Sequence, residues 1–121
     1  MAYVESYVLP VVTARIADYI AIAEESALIW RELGAVSVME ARAVDAPVGE
    51  VTSFPRSVAL TPEETVFVAY VTFRDRAHRD AVMARMEAHP RMLELFNTAP
   101  VDGKRMIWGG FEVVVTTDPY I

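Results

Sequence analysis

The chain opens on alternation. Residues 3–9, YVESYVL, alternate in polarity and are rich in β-formers, which predicts a strand that Pro10 ends. Thr13 then offers an N-cap, and Ile16, Tyr19, Ile20, Ala23, Ala27 and Trp30 recur at helical spacing as far as Gly34, so a helix is predicted over about 14–33. Alternation returns in AVSVMEARAV, a second strand over 35–44. TVFVAYVTF, residues 65–73, is an almost unbroken β-branched and aromatic run, the mark of a strand covered on both faces. Asp75 caps a second helix over about 76–88, His89-Pro90 breaks it, and a short helix follows over 91–97. DGK at 102–104 turns the chain into a last strand, 105–115, whose Gly109-Gly110 pair predicts a bulge or a close backbone approach.

The order β-α-β-β-α-β is the ferredoxin-like arrangement: α+β, with a four-stranded antiparallel sheet and both helices on one face, in a single domain over 1–121. The link 45–64 is too long for a tight hairpin. It is a long loop, or it hides an edge strand in EVTSFPRSV, where Pro55 is tolerated.

Sorting the strand residues by alternation gives two sets. Val4, Val8, Met39, Ala41, Phe67, Ala69, Val71 and Phe73 are wholly apolar and read as the helix-facing core. Tyr3, Glu5, Tyr7, Val38, Glu40, Arg42, Val68, Tyr70 and Thr72 mix large and polar side chains, and Trp108 and Glu112 or their neighbours join them. That second face is too apolar for water and too polar for a dry core. A homodimer pairing sheet to sheet as a dimeric α+β barrel, with a small organic molecule in the cavity between sheet and partner, accounts for it. A dimer whose sheet face serves assembly alone, in a stress-related or structural protein, is the second reading.

Composition narrows the function classes. The chain is 54% hydrophobic with a mean hydropathy of +0.26, a surplus for a small domain that fits burial against a partner. Seventeen acidic residues against eleven basic ones, net −6, disfavour nucleic acid and anionic membranes, and an RNA-associated role is the weakest reading. Without cysteine there are no disulfides, thiol nucleophiles or cysteine metal sites. The start MAYVESYVLPVV has no basic segment and no apolar run is long enough to span a bilayer, so a cytoplasmic protein is expected. GxGxxG, P-loop and GxSxG motifs are absent, and two histidines eleven residues apart make no ligand set, so neither cofactor nor metal is expected.

YVLPV, VTSFPRSV, RAHRDAV and DGKRMIWGGFE together resemble the YbaA-like family of uncharacterised bacterial proteins, over nearly the whole chain. That resemblance implies the dimeric α+β barrel superfamily, which includes cofactor-free monooxygenases. It carries over no catalytic residue.

The candidate pocket residues follow from charge and chemistry. His78, near the helix start, titrates near neutrality and could act as acid or base, or could be a hydrogen-bonded boundary residue. Arg76 and Asp80 read as an i, i+4 surface pair, while Arg79 lies on the buried side and could anchor the long loop or an anion. Arg56 beside Phe54 offers a fork for a carboxylate or phosphate at a cavity mouth. Glu5, Glu40 and Glu112 on strands could serve as a raised-pKa base, or could pair with Arg42 or Arg105. Tyr7, Tyr70 and Trp108 complete the set as shaping side chains.

Overall fold

The computed structural model describes residues 1–121. β1 (Tyr3–Val12), α1 (Ile16–Glu32), β2 (Ser37–Arg42), α2 (Phe54–Ser57), β3 (Glu64–Phe73), α3 (Arg76–Glu87), α4 (Pro90–Thr98) and β4 (Ile107–Glu112) follow in order. The four strands form one antiparallel sheet, ordered β2-β3-β1-β4. This is the expected ferredoxin-like α+β fold.

Local chemistry explains the element ends, including those that differ from expectation. β1 does not stop at Pro10 but runs on to Val12, with Pro10 opposite Val66. The missing N–H faces the side where β4 has already ended, since β4 reaches only Val8, and so costs no ladder bond. Thr13 is not the helix cap: its hydroxyl bonds Thr65 at 2.7 Å, and a single 3-10 turn, Thr13–Arg15, leads into α1. α1 ends as expected at Gly34, whose φ of +116° suits glycine, with the Ala35 N–H reaching back to the Trp30 carbonyl. Asp75 caps α3 by accepting from the His78 N–H at 2.7 Å. The expected Arg76–Asp80 pair does not form; the Asp80 carboxylate lies instead 2.8 Å from Arg79 Nε.

The 45–64 link contains no edge strand. Ser53 accepts from the Arg56 N–H at 3.0 Å and Pro55 occupies the first turn, so FPRS closes into the one-turn helix α2. Arg105 ties this link to the sheet by bonding the Glu64 carboxylate and the Ala59 carbonyl.

The Gly109-Gly110 pair is a close approach rather than a bulge. Pairing from Tyr3↔Glu112 to Val8↔Ile107 is continuous. A Cβ on Gly110 would stand 2.2 Å from the Tyr3 hydroxyl, so only glycine lets the Tyr3 ring lie over β4 there.

Register decides what faces the helices. Tyr3, Glu5 and Tyr7 share a face with β3's Phe67, Ala69, Val71 and Phe73, with β2's Val38, Glu40 and Arg42, and with Trp108 and Glu112. This corrects the expected division. Val4, Val8, Met39 and Ala41 lie on the open face with Val68, Tyr70 and Thr72, while the polar set Tyr3, Glu5, Tyr7, Val38, Glu40 and Arg42 is turned to the helices. A one-residue difference in pairing moves a strand's whole set from one face to the other: Phe67, Ala69, Val71 and Phe73 of β3 face the helices as expected, while the expected sets of β1 and β2 have exchanged faces. Two apolar clusters fill the helix side: Trp30, Phe73, Val82, Met86 and Met92 at one end, and Leu9, Val11, Tyr19 and Phe67 at the other.

Glu5 lies within the first cluster, with no solvent exposure, and α3 packs where Arg79 can reach it. Arg79 bonds the Glu5 carboxylate and the Tyr3 hydroxyl, and its guanidinium stands 4.8 Å from the Tyr3 ring centroid. Breaking one side of a buried ion pair strands a charge. Arg79→Met is therefore expected to cost about 3–5 kcal/mol in urea unfolding, and Glu5→Gln in the same chain should return much of it. An Arg79→Met protein as stable as the wild type would contradict this role.

Candidate functional site

Between the helices and the sheet lies a cavity of about 470 Å³, lined by twenty residues of which sixteen are hydrophobic. Its floor is one row of the sheet: Glu40 on β2, Ala69 on β3, Tyr7 on β1 and Trp108 on β4. The methyl of Ala69 leaves the middle of the row low, while Glu40 and Tyr7 rise on either side. Across the gap, α1 presents Tyr19, Ala23, Ser26 and Trp30, spaced to face one side of the helix. α3 adds Met83 and Met86, one and two turns beyond Arg79, so the ion pair that seats α3 also places this wall. Phe96, Trp108 and Glu87 are exposed and mark the mouth.

The polar groups of the floor are unevenly satisfied. Glu40 is half-buried and accepts a hydrogen bond from the Tyr19 hydroxyl; no arginine, lysine or histidine pairs with it. Burial lifts the Glu40 carboxyl above its usual range, and the Tyr19 bond offsets only part of that. Burial next to Glu40 raises the Tyr19 phenol as well. Tyr7 is pushed up to about 12, by burial first and then by the Glu5 charge, so its hydroxyl stays protonated and no hydrogen bond occupies it. Ser26 is satisfied within α1, its hydroxyl donating to the Ala23 carbonyl at 3.0 Å.

The candidate residues separate into groups. Tyr7, Glu40 and Trp108 line the cavity. Glu5 and Arg79 form the buried pair beside it, where burial raises the Glu5 carboxyl while Arg79 pulls it down; Glu5 Oε2 has no hydrogen-bond partner. His78 does not enter. Its Nδ1 accepts from the Arg74 N–H at 3.0 Å and its ring packs edge-on against Phe73, so it is a boundary residue of α3. The polar contacts of Arg79 are with Glu5, Tyr3 and Asp80, none of them on the long loop.

Arg56 and Phe54 stay on the far link, where Arg56 bonds the Val48 and Gly49 carbonyls at 2.9 and 3.1 Å. Arg105 is engaged by Glu64 and Asp102, and its hydrogen bonds hold the Glu64 carboxyl down to about 2. Arg42 is exposed and pairs with no carboxylate, and Tyr70 is on the open sheet face, its hydroxyl 3.5 Å from Met39 Sδ. Glu112 is exposed at the sheet edge and also forms no ion pair. No three histidine, aspartate or glutamate side chains converge as a metal site, and no helix is long and apolar enough to cross a membrane.

The sequence reading missed Tyr19, Ser26, Trp30, Met106 and Phe96. The one available signal was chemical: Tyr19 and Ser26 put hydroxyls into an otherwise apolar helix stripe.

Residues 2–103 match the family described as Protein of unknown function (DUF1428). The uncharacterized protein YbaA of Escherichia coli strain K12 is 36% identical over 115 residues, covering 95% of this chain and 98% of YbaA. YbaA of Shigella flexneri matches to the same extent, at 36% over 115 residues. Two solved structures share the fold. One is a variant of SnoaB, a cofactor-independent oxygenase from Streptomyces nogalater, with TM-score 0.65 and 16% identity over 96% of both chains. The other is a dimeric ferredoxin-like protein from an uncultured marine organism, with TM-score 0.62 and 14% identity over 95% of this chain and 97% of that one. The motifs that resemble YbaA, the match over residues 2–103 and the identity to YbaA agree: this chain belongs to the DUF1428 family of proteins of unknown function.

Proposed function

We propose that the protein binds a small organic molecule in the cavity of each protomer, and that two protomers pair through the open sheet face. The observation that carries the first part is an uncompensated carboxylate, Glu40, on the floor of an otherwise apolar cavity of about 470 Å³. That size suits a small ligand, and a few polar groups among apolar walls is the usual composition of such sites. The proposed site is this cavity between the helices and sheet of one protomer, where the sequence-based expectation was a cavity between sheet and partner.

The floor favours acid–base chemistry that needs no cofactor. Glu40, with its carboxyl raised by burial, is suited to accept a proton from a bound molecule. Tyr7, neutral over the whole physiological range, is suited to donate a hydrogen bond to charge developing on that molecule. SnoaB, a cofactor-independent oxygenase with this fold, makes such chemistry a reasonable direction without naming the reaction.

The pairing rests on the open face. Val4, Val8 and Val68 run through it, and Met39, Tyr70, Ile107 and Phe111 are exposed on it. An uncovered apolar patch of this kind usually marks an interface, and one neighbour in fold is described as dimeric. Light scattering should give the mass of two chains, and Val8→Lys, at the centre of the face, should give one. A monomeric wild type would end the dimer.

The ligand reading is tested by thermal shift with naphthalene-sized aromatic compounds. Ala69→Leu fills the dip in the floor. It should fold at least as stably as the wild type and lose the stabilisation that such compounds give it. If no compound shifts the wild type, or if the filled variant responds equally, the cavity is not a ligand site.

Glu40 should also show itself in the pH dependence of stability. A carboxyl raised in the folded state binds its proton more tightly there than in the unfolded chain. Its contribution is present below the ordinary value of 4.5 and is lost as pH rises through the folded value. Glu40→Gln keeps an acceptor for Tyr19 but cannot ionise. Its melting temperature should match the wild type near pH 4 and exceed it by a few degrees at pH 7–8, whereas a lower value at pH 7–8 would contradict the assignment.

A further inference from the structure

The carboxylates that the fold holds away from solvent are not treated alike. Glu5, fully buried on β1, is paired with Arg79. Glu64, at the start of β3 with its side chain 8% exposed, is paired with Arg105. Glu25 on α1, which is only half-buried, is held by two hydrogen bonds from Arg91. Glu40 has no cation: it lines the cavity, a phenol occupies one of its oxygens, and the other has no hydrogen-bond partner.

Nothing else in the cavity neutralises it. Of the twenty lining residues, the four that are not hydrophobic are Ser26, Glu40, Glu87 and Gly103, so both charged groups are carboxylates and no arginine, lysine or histidine is present. Aromatic side chains share the lining with Glu40. Tyr19 bonds it, Tyr7 stands across Ala69 in the same row, and Trp30 lies further along α1 on the lining side. Aromatic faces attract cations most strongly where water is excluded, and a carboxylate beside them adds an acceptor of opposite charge. The same lining repels a carboxylate or phosphate, which would have to sit beside Glu40 with no counter-charge.

Accepting the reading of this cavity as a ligand site, on which the inference rests, we propose that it takes a protonated amine carried on an apolar, aromatic-sized body. The ammonium lies above Ala69, donating to the free oxygen of Glu40 and to the Tyr7 hydroxyl oxygen. The apolar body fills the space under Met83, Met86 and Phe96, toward the mouth at Trp108. Glu87 at that mouth, and the net charge of −6, draw a cation in. The ligand's own charge then supplies for Glu40 what Arg79 and Arg105 supply for the other two.

Three probes of one shape separate the possibilities: 1-naphthylmethylamine, 1-naphthalenemethanol and 1-naphthoate, titrated by calorimetry at pH 7.5 into the wild type, Glu40→Gln and Ala69→Leu. The expected result is that the amine binds at least about tenfold more tightly than the alcohol and that the carboxylate gives no measurable heat. Glu40→Gln should abolish the amine's advantage and leave the alcohol unchanged. Ala69→Leu should weaken both, which distinguishes the cavity from loose attraction of a cation to an acidic surface. Equal binding of amine and alcohol, or tighter binding of the carboxylate, overturns the amine assignment and leaves the cavity reading standing. An amine that binds Ala69→Leu as well as the wild type also overturns it. If none of the three binds, both fall.

Discussion

A carboxylate with no access to water needs a cation, and the position of α3 follows from that need. Glu5 is on the central part of the sheet, two residues before Tyr7, and Arg79 is the side chain that reaches it. Seating Arg79 there also puts Tyr3 under the guanidinium and brings Val82, Met83 and Met86 down on the sheet. The Tyr3 ring in turn occupies the space that a side chain at Gly110 would take. One ion pair thereby links the first strand, the last strand and the second long helix.

The cavity is what remains between that seat and the second apolar cluster. Trp30 and Phe73 pack edge to face at one end, Tyr19 and Phe67 at the other. Between them the sheet offers Ala69 and α1 offers Ala23 and Ser26, side chains too small to meet. A protein interior normally closes such a gap, because each missing contact costs dispersion energy. Here the gap persists next to a carboxylate whose pairing differs from that of every other sheltered one. Two unfavourable features kept side by side in the same row are the reason to assign the row a function, since stability alone favours filling the first and pairing or removing the second.

Much of the fold was legible in the sequence, because each element carried its own signal. Helical spacing from Ile16 to Trp30, Asp75 as a cap, Gly34 as a stop and the β-branched run before Phe73 all act within a few residues. What was not legible lies between elements. Alternation correctly grouped Tyr3, Glu5 and Tyr7 with Val38, Glu40 and Arg42, but set them against the wrong residues of β3. β3 is apolar on both faces and therefore offers no polarity to orient it. No tight turn connects it to β1 or β2 to pin the register either, since the link to β2 runs through 45–64. The site inherited this limit. Tyr7, Glu40 and Trp108 were found because polar or large side chains on a strand draw attention, whereas Tyr19 and Trp30 read as ordinary core. His78, Arg56 and Arg105 drew attention by their chemistry, and caps and carbonyl contacts account for them.

Glu40 is a sheltered carboxylate left without a cation on the cavity floor, and carbon-detected NMR titration of the glutamate side-chain carboxyls tests this most directly. Glu40 should titrate above the ordinary 4.5, while Glu64, held by Arg105, titrates near 2. A Glu40 that titrates at or below 4.5 would mean that the protein already compensates its charge, and would contradict its role as the uncompensated group of the cavity.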